Sequence, residues 1–320
     1  MQRPPTSRRA ALAQIALLAM LALGIGYLVY NTAQNLEARK IASGFAFLWR
    51  EAGFEIGESA FLAYSAADNY LRALAVGLAN TFRVAAIGVV LATLLGALLG
   101  LARLSPNWLL AKLAAIYVEV MRNVPLLVQL FFWYALISET LPGPEQALNP
   151  LPGVFLSNRG IFFPLPGNWP ELSGFNFTGG ASLSPEFATL LVGLVTYTAA
   201  FIAEIVRAGI LSVPSGQVEA ARSLGLGRRD ALRFVVAPLA LRLMVPPMTS
   251  QYLNLTKNSS LAVAIGYPDL VSIANTTMNQ TGQAIEGVAV IMAVFLTISL
   301  SISAFMNWYN RRVALRGALP

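Results

Sequence analysis

Six long apolar segments dominate this chain and restrict its fold more than any other feature. Each has about 20 residues or more, the length that an α-helix needs to cross the roughly 30 Å hydrocarbon core of a membrane. Charged residues make up only 12% of the sequence, about half of their share in soluble domains. The sequence therefore predicts an all-α polytopic membrane protein with about six transmembrane helices. The predicted spans are 10–30, 73–102, 113–137, 187–206, 243–265 and 287–308.

The distribution of basic residues predicts the orientation of these spans. Six spans put both termini on one side, and 14 of the 22 Lys and Arg residues fall in the segments on that side, against five in the opposite joints. Basic residues concentrate on the cytoplasmic side of membrane proteins. Both termini are therefore predicted to be cytoplasmic, with residues 31–72 and 138–186 outside. The net charge of +7 then reflects membrane orientation and not nucleic-acid binding.

Residues 1–72 are predicted to form an N-terminal unit, a transmembrane anchor followed by an outer segment. The first apolar run exceeds the core of a signal peptide and no A-x-A cleavage site follows it, which favours a retained anchor over a cleaved signal. The aromatic and charged residues of 31–72 suggest a short amphipathic helix on the outer membrane surface. Segment 138–186 holds eight of the 18 prolines, which predicts a folded or partly disordered outer loop without helix.

The composition excludes several classes of chemistry. The chain has no Cys and no His, which removes disulfides, thiol chemistry, the commonest metal ligand and every Ser-His-Asp arrangement. The nucleotide-binding pattern G-x-x-x-x-G-K-[ST] does not occur in the sequence. We therefore predict no catalytic residue, no metal and no cofactor.

Charged and polar residues in the third span have two interpretations. Glu119 and Arg122 are three residues apart and share one helix face, either as a structural ion pair or as part of a pore-lining element. Pro125 removes a backbone donor and is predicted to bend the span. In the pore-lining alternative, Gln129, one turn later, would face the cavity and contribute to a substrate path.

The fourth and fifth spans carry further polar groups. Glu204 precedes Arg207 by three residues and is either half of a structural pair or part of a transport path, since intramembrane acids usually face the bundle interior. At 100° per residue, a polar set in the fifth span falls on or beside one face. Interhelical hydrogen bonding would also explain this face, but Lys257 requires water or a carboxylate such as Glu204. The set is Gln251, Asn254, Lys257 and Asn258.

The joint between these two spans contains SGQVEAARSLG at 215–225. Pro214 suits the first turn of a helix, and Gly225 supplies a left-handed stop after Leu224. Pro238 is predicted to bound a second short helix. Small residues at Ala220 and Ala221 would let a partner approach closely, whereas an ordinary amphipathic interfacial hairpin needs no partner.

Several blocks together resemble the permease subunit of a bacterial ATP-binding-cassette importer of the polar-amino-acid uptake family. The blocks are YVEVMRNVPLLVQLFFWY (117–134), AFIAEIVRAGILSVPSGQVEAARSLGL (200–226) and PPMTSQYLNLTKNSSLAVAIG (246–266). SNRGIFFPLP (157–166) and FMNWYNRR (305–312), with the extra first span, are similar to the Q-type permease of general L-amino-acid or glutamate/glutamine/aspartate/asparagine importers.

The resemblance implies a type I importer permease domain at 73–315 in the bacterial inner membrane. Its expected partners are a cytoplasmic ATPase, a second permease that is identical or a paralogue, and a periplasmic binding protein. Residues 212–238 would be the cytoplasmic loop that docks on the ATPase. The residues carried over to that contact are Gly216, Gln217, Glu219, Ala220, Ala221 and Gly225.

Two features depart from the family pattern. Val235-x-Ala237 stands before Pro238 where the pattern often has Ile-x-Leu, and the additional apolar stretch that Q-type relatives often carry before the fourth span is replaced by a Pro-rich loop. A self-contained channel or secondary transporter is the alternative function, and it leaves the 215–225 loop unexplained. A membrane enzyme is disfavoured because no carboxylate pair stands at catalytic spacing.

Overall fold

The computed structural model describes residues 8–38, 43–59 and 61–313, and this part of the chain is mostly helical. Within it, five helices are long and apolar enough to cross a membrane, or six if a bent pair of shorter helices is counted as one span. This confirms the prediction of about six spans. The helices are α1 (Arg8–Ala38), α2 (Tyr70–Arg103), α3 (Trp108–Asn123), α4 (Leu126–Ala135), α5 (Pro185–Leu211), α6 (Ser215–Ser223), α7 (Arg228–Ala231), α8 (Ala237–Asn258), α9 (Leu270–Thr281) and α10 (Ala284–Val313).

Helix α1 extends eight residues beyond the predicted end of the first span. Its large apolar side chains from Leu12 to Tyr30 are all exposed. An apolar helix of this length can be covered by lipid, so its exposure within a single chain carries no energetic conflict.

Helices α2 and α5 form the centre of the bundle. Glycines on α2 let the two backbones approach, because a Cβ added at Gly96 would lie 2.6 Å from the Cβ of Ile202, and one added at Gly100 would lie 2.7 Å from the Ala203 carbonyl oxygen. Small residues at such crossings are the usual means of close packing in membranes, where no hydrophobic effect drives helices together. The main hydrophobic cluster lies around this crossing and includes Leu190, Leu194 and Ile202.

The third span is broken and not merely bent. Helix α3 ends at Asn123, Pro125 precedes α4, and the two helix axes differ by 104°. The residue before a proline is pushed out of the helical region, and Val124 accordingly has extended backbone angles. Pro125 therefore ends one helix and begins another, a sharper change than the predicted bend.

The outer loop after this span forms two small antiparallel sheets. One has four strands in the order β1-β2-β3-β6, and the other pairs β4 with β5. The rings of Phe155 and Phe177 stack with centroids 4.5 Å apart and join the sheets. The loop is thus folded, as predicted, but with β-structure that the proline count did not reveal. The strands are β1 (Leu148–Leu151), β2 (Val154–Ser157), β3 (Gly160–Phe163), β4 (Glu171–Ser173), β5 (Asn176–Thr178) and β6 (Ala181–Leu183).

Between α1 and α2, the described residues 43–59 and 61–69 do not form the amphipathic surface helix predicted for segment 31–72. They form a short 3-10 helix, Phe45–Trp49, followed by extended chain and turns. Phe47 is 2% exposed and packs in a separate cluster with Tyr70 of α2 and Leu270 of α9. The prediction was wrong because the aromatic residues pack against neighbouring helices, a tertiary contact that local periodicity does not contain.

Candidate functional site

The joint between α5 and α8 forms the predicted helical hairpin. The Gly225 backbone has φ +86°, and the Leu226 N–H donates to the Ala221 carbonyl at 3.1 Å. This left-handed stop is the arrangement that glycine permits after a helix, so the helix end predicted at Gly225 is confirmed. Most of the residues assigned to a partner contact have exposed side chains or backbone: Gly216, Gln217, Glu219, Ala220 and Gly225.

Ala221 differs from its neighbours because it is only 3% exposed. It packs inside the hairpin, so its small side chain supports the loop and is not open to a partner. Leu224 at the tip of the hairpin is 83% exposed, and sequence reasoning did not single it out. A single exposed apolar side chain is common on protein surfaces, so the exposure of Leu224 does not by itself identify a contact.

The second helix of the hairpin continues directly into the fifth span. The region from Arg228 to Ile265 is one span, with a π-helical turn at Leu232–Val236 and Pro238 in the first turn of α8. The prediction that Pro238 bounds a short helix was therefore wrong. The helix continues past Pro238 through the π-helical turn before it, in which the Ala237 N–H donates to the Leu232 carbonyl five residues earlier. The second helix of the hairpin and the polar face of α8 therefore lie on one helical region, which contains Pro246 and Pro247 between them.

Glu204 on α5 is held by two arginines. Its carboxylate accepts from Arg207 Nη2 at 2.5 Å and forms a second ion pair with Arg103 at the end of α2. The pairing with Arg207 follows the predicted i, i+3 spacing. Arg103 lies 101 residues away in sequence from Glu204. The sequence indicates this pair only indirectly, because both residues lie near the predicted inner ends of their spans. The carboxylate does not pair with Lys257.

The polar set of α8 lies on an open face. Asn254 and Lys257 are exposed, and Gln251 and Asn258 are half-buried. No carboxylate in the described part of the chain forms an ion pair with Lys257. The helix then passes into a 3-10 segment, Ser259–Ile265, that ends at Gly266 with φ +79°. A 3-10 turn is a common way for an α-helix to end.

Gln129 lies at the break of the third span and not on this open face. It is 6% exposed, and its amide nitrogen donates to the carbonyls of Met121 at 2.9 Å and Val124 at 3.0 Å. These bonds satisfy the carbonyl groups that the break leaves without helical partners. Only its Oε1, unpaired among the described residues, remains available beside an apolar cavity of about 270 Å³.

Glu119 and Arg122 share a helix face but do not form the ion pair that was considered for them. Glu119 is exposed, and the Arg122 guanidinium lies 5.1 Å from the centroid of the Phe201 ring on α5. A cation over an aromatic face is favourable without any carboxylate. Glu119 and Arg122 therefore differ from Glu204 and Arg207, which form an ion pair.

Comparison with known proteins identifies the kind of chain that carries these features. Residues 88–315 match the family described as "Binding-protein-dependent transport system inner membrane component". The chain is 46% identical to the putative amino-acid ABC transporter permease protein YhdX of Escherichia coli K12, covering 97% of this chain and 95% of that protein. It is 42% identical to the general L-amino acid transport system permease protein AapQ of Rhizobium johnstonii, covering 94% and 91%.

Solved structures give the same assignment of fold. The chain of an amino acid ABC transporter crystallised with histidines is similar at a TM-score of 0.57 and 28% identity, covering 76% of this chain and 95% of that one. A chain of the inward-facing MetNI methionine ABC transporter matches at a TM-score of 0.51 and 18% identity. At that identity the second match shows the fold alone.

Proposed function

Because the chain belongs to the family of binding-protein-dependent inner-membrane transport components, we propose that it is the permease subunit of an ATP-binding-cassette amino-acid importer. The relatives that it covers almost completely are named amino-acid permeases, which supports amino acids as the substrate. The alternative of a self-contained channel has no such support. The sequence also lacks a nucleotide-binding motif, so ATP hydrolysis belongs to a partner.

The ATPase partner would dock on residues 212–238. The observation that carries this proposal is the exposed hairpin around Glu219 and Leu224, joined without interruption to the α8 span. A force applied to the hairpin by the ATPase would therefore reach the polar face of α8 directly. Residues 1–72 then serve as an anchor and outer segment, residues 73–315 as the permease domain, and both termini lie in the cytoplasm.

The transport path would run along the open face of α8. Its side chains can offer amide groups and one ammonium group to the carboxylate and amine of an amino acid. A second permease subunit would close this face from the other side, and a periplasmic binding protein would deliver the substrate. Glu204 and Gln129 would act at the edges of the path, since both have most of their hydrogen-bonding capacity occupied within the chain. The face comprises Gln251, Asn254, Lys257 and Asn258.

Charge reversal at the hairpin tests the docking proposal. Glu219→Lys should leave membrane insertion unchanged because Glu219 is exposed, but it should lower co-purification with the ATPase about tenfold or more, as loss of an interfacial charge pair does. The matched control is Glu145→Lys, which reverses an exposed glutamate on the outer loop. Co-purification of the Glu219 variant at the level of the control would rule out this contact.

A further inference from the structure

Residues 43–59, here called the outer strap, are fastened at their first end to α10. The Gly44 N–H donates to Glu286 Oε1 at 2.6 Å, and Gln283 Nε2 donates to the Gly44 carbonyl at 3.0 Å. Phe47 then enters the apolar cluster between α2 and α9. This end of the strap is held by buried apolar packing and by hydrogen bonds of buried side chains.

The second end of the strap is fastened by Glu58 to two other helices. One carboxylate oxygen forms an ion pair with Arg83 of α2, and the other accepts from the Ser184 hydroxyl at 2.6 Å. Ser184 is the N-cap of α5. The Glu58 carbonyl also accepts from Asn80 Nδ2 at 2.8 Å. A single side chain thus joins the strap to α2 and to the start of α5.

Arg83 connects this junction to the end of the polar helix. Its guanidinium lies 4.0 Å from the centroid of the Phe187 ring, and Phe187 packs on Tyr267 with ring centroids 5.8 Å apart. Tyr267 is fully buried and follows Gly266, where the 3-10 continuation of α8 ends. The Glu58 junction is therefore in contact, through two rings, with the end of the proposed transport path.

The two fastenings of the strap differ in how easily they open. The Glu58 and Arg83 side chains are 17% and 15% exposed, so water can replace their mutual contacts when they separate. A charged pair that regains water on separating recovers part of its hydration, whereas pulling Phe47 out of its cluster exposes apolar surface with no such compensation. An alternating-access transporter must open its outer end once in each cycle. Of the two fastenings, the Glu58 junction is the one suited to open and close.

We propose that Glu58 is a positioning residue of the transport cycle. Through Arg83 and Ser184 it holds the outer end of the path closed, and it separates from them when the binding protein docks. This inference rests on the proposed importer function. It assigns to the outer strap, which precedes the family match at residues 88–315, a role in keeping the resting transporter inactive.

The test measures ATP hydrolysis by the assembled complex in proteoliposomes, with and without binding protein loaded with L-glutamate as the probe. Glu58→Gln keeps the size of the side chain and removes its charge. Without binding protein, hydrolysis should rise by about fivefold or more, the low end of coupling between sites, while the stimulated rate stays unchanged. Glu55→Gln is the matched control, because Glu55 lies on the same strap and is exposed, and its side-chain hydrogen bond among the described residues is a 3.3 Å contact with the Ala66 N–H.

Two further variants separate positioning from general destabilisation. Ser184→Ala removes one arm of the junction and should raise unstimulated hydrolysis less than Glu58→Gln. Combining Glu58→Gln with Arg83→Met should raise it no further than Glu58→Gln alone, because both changes open the same junction. Additive effects, or a loss of both rates in proportion to assembled complex, would overturn the proposal.

The outcomes for the wild type separate this inference from the function on which it rests. A wild-type complex that shows no response to the binding protein would overturn the importer function, and the role of Glu58 with it. A responsive wild type and a Glu58→Gln variant with the same ratio of stimulated to unstimulated hydrolysis would overturn the role of Glu58 alone.

Discussion

Helices α5 and α8 both carry charged side chains within the spanning part of the chain, but these side chains differ in whether they have an ion-pair partner. Glu204 of α5 is paired with Arg207 and with Arg103, so its charge is neutralised inside the chain. Lys257 of α8 is exposed and has no ion-pair partner in the described region. Removing one member of a pair satisfied within the fold strands its partner, whereas a polar group left open is free to meet a ligand or a second subunit. The comparison leads to three predictions, ordered by the expected change in the free energy of unfolding.

The largest change is expected for Glu204→Gln. The substitution leaves the Arg103 and Arg207 guanidinium groups close together without an anion between them. Removing one partner of a buried charge cluster costs about 3–5 kcal/mol, and partial exposure of these groups places the expected loss near the lower value. The measurement is the melting temperature of the purified subunit in detergent.

Glu119→Gln is the control for this variant, because Glu119 is an exposed glutamate that forms no ion pair in the described part of the chain. Equal melting temperatures for the Glu204 and Glu119 variants would show that the α5 cluster does not stabilise the fold.

An intermediate change is expected for Asp269→Asn, beyond the 3-10 continuation of α8. Burial raises the pKa of Asp269 from 3.8 to about 7. Its Oδ1 accepts from the Ser272 N–H at 2.8 Å, and its Oδ2 has no partner among the described residues. Between these two pKa values the folded state keeps a proton that the unfolded state releases. The stability of the wild type therefore falls as pH rises through this window and levels off above about pH 7.

Asn keeps the helix cap and cannot ionise, so the variant should lack this pH dependence. At about pH 8 it should be more stable than the wild type by on the order of 2 kcal/mol, since it avoids a buried charge without a counter-ion. Melting temperatures of both proteins from about pH 5 to about pH 8 provide the test. Parallel curves would mean that Asp269 ionises as readily in the folded state as in the unfolded one.

The smallest change in stability is expected for Lys257→Met. The side chain is open, so its replacement should change the free energy of unfolding by less than about 0.5 kcal/mol. Amino-acid uptake per assembled complex should nevertheless fall, because the path loses its ammonium group. Lys112→Met is the control, since Lys112 is also exposed but lies near the predicted inner surface. A melting temperature lowered as much as in Glu204→Gln would mean that Lys257 has a structural partner, and wild-type uptake would end its assignment to the path.

Patterns within one helix were predicted from the sequence reliably. The apolar runs predicted the spans, Glu204 and Arg207 were predicted to share a face, and Gly225 was predicted to end a helix. These patterns depend on the 3.6-residue period and on local backbone preferences, which act over a few residues. The helix boundary predicted at Pro238 was wrong because a π-helical turn precedes the proline, and the local sequence pattern does not reveal that turn.

By itself, the sequence determined the number of spans, the hairpin that precedes α8 and the polar residues that one face of α8 carries. Only the tertiary structure decided which of these groups are satisfied. In the folded chain, Arg103 forms an ion pair with Glu204, and Glu58 contacts both Arg83 and Ser184. The physical reason is that a charge in a membrane protein must find a partner or water. Which partner lies within reach depends on how distant helices pack, and no local pattern records that packing.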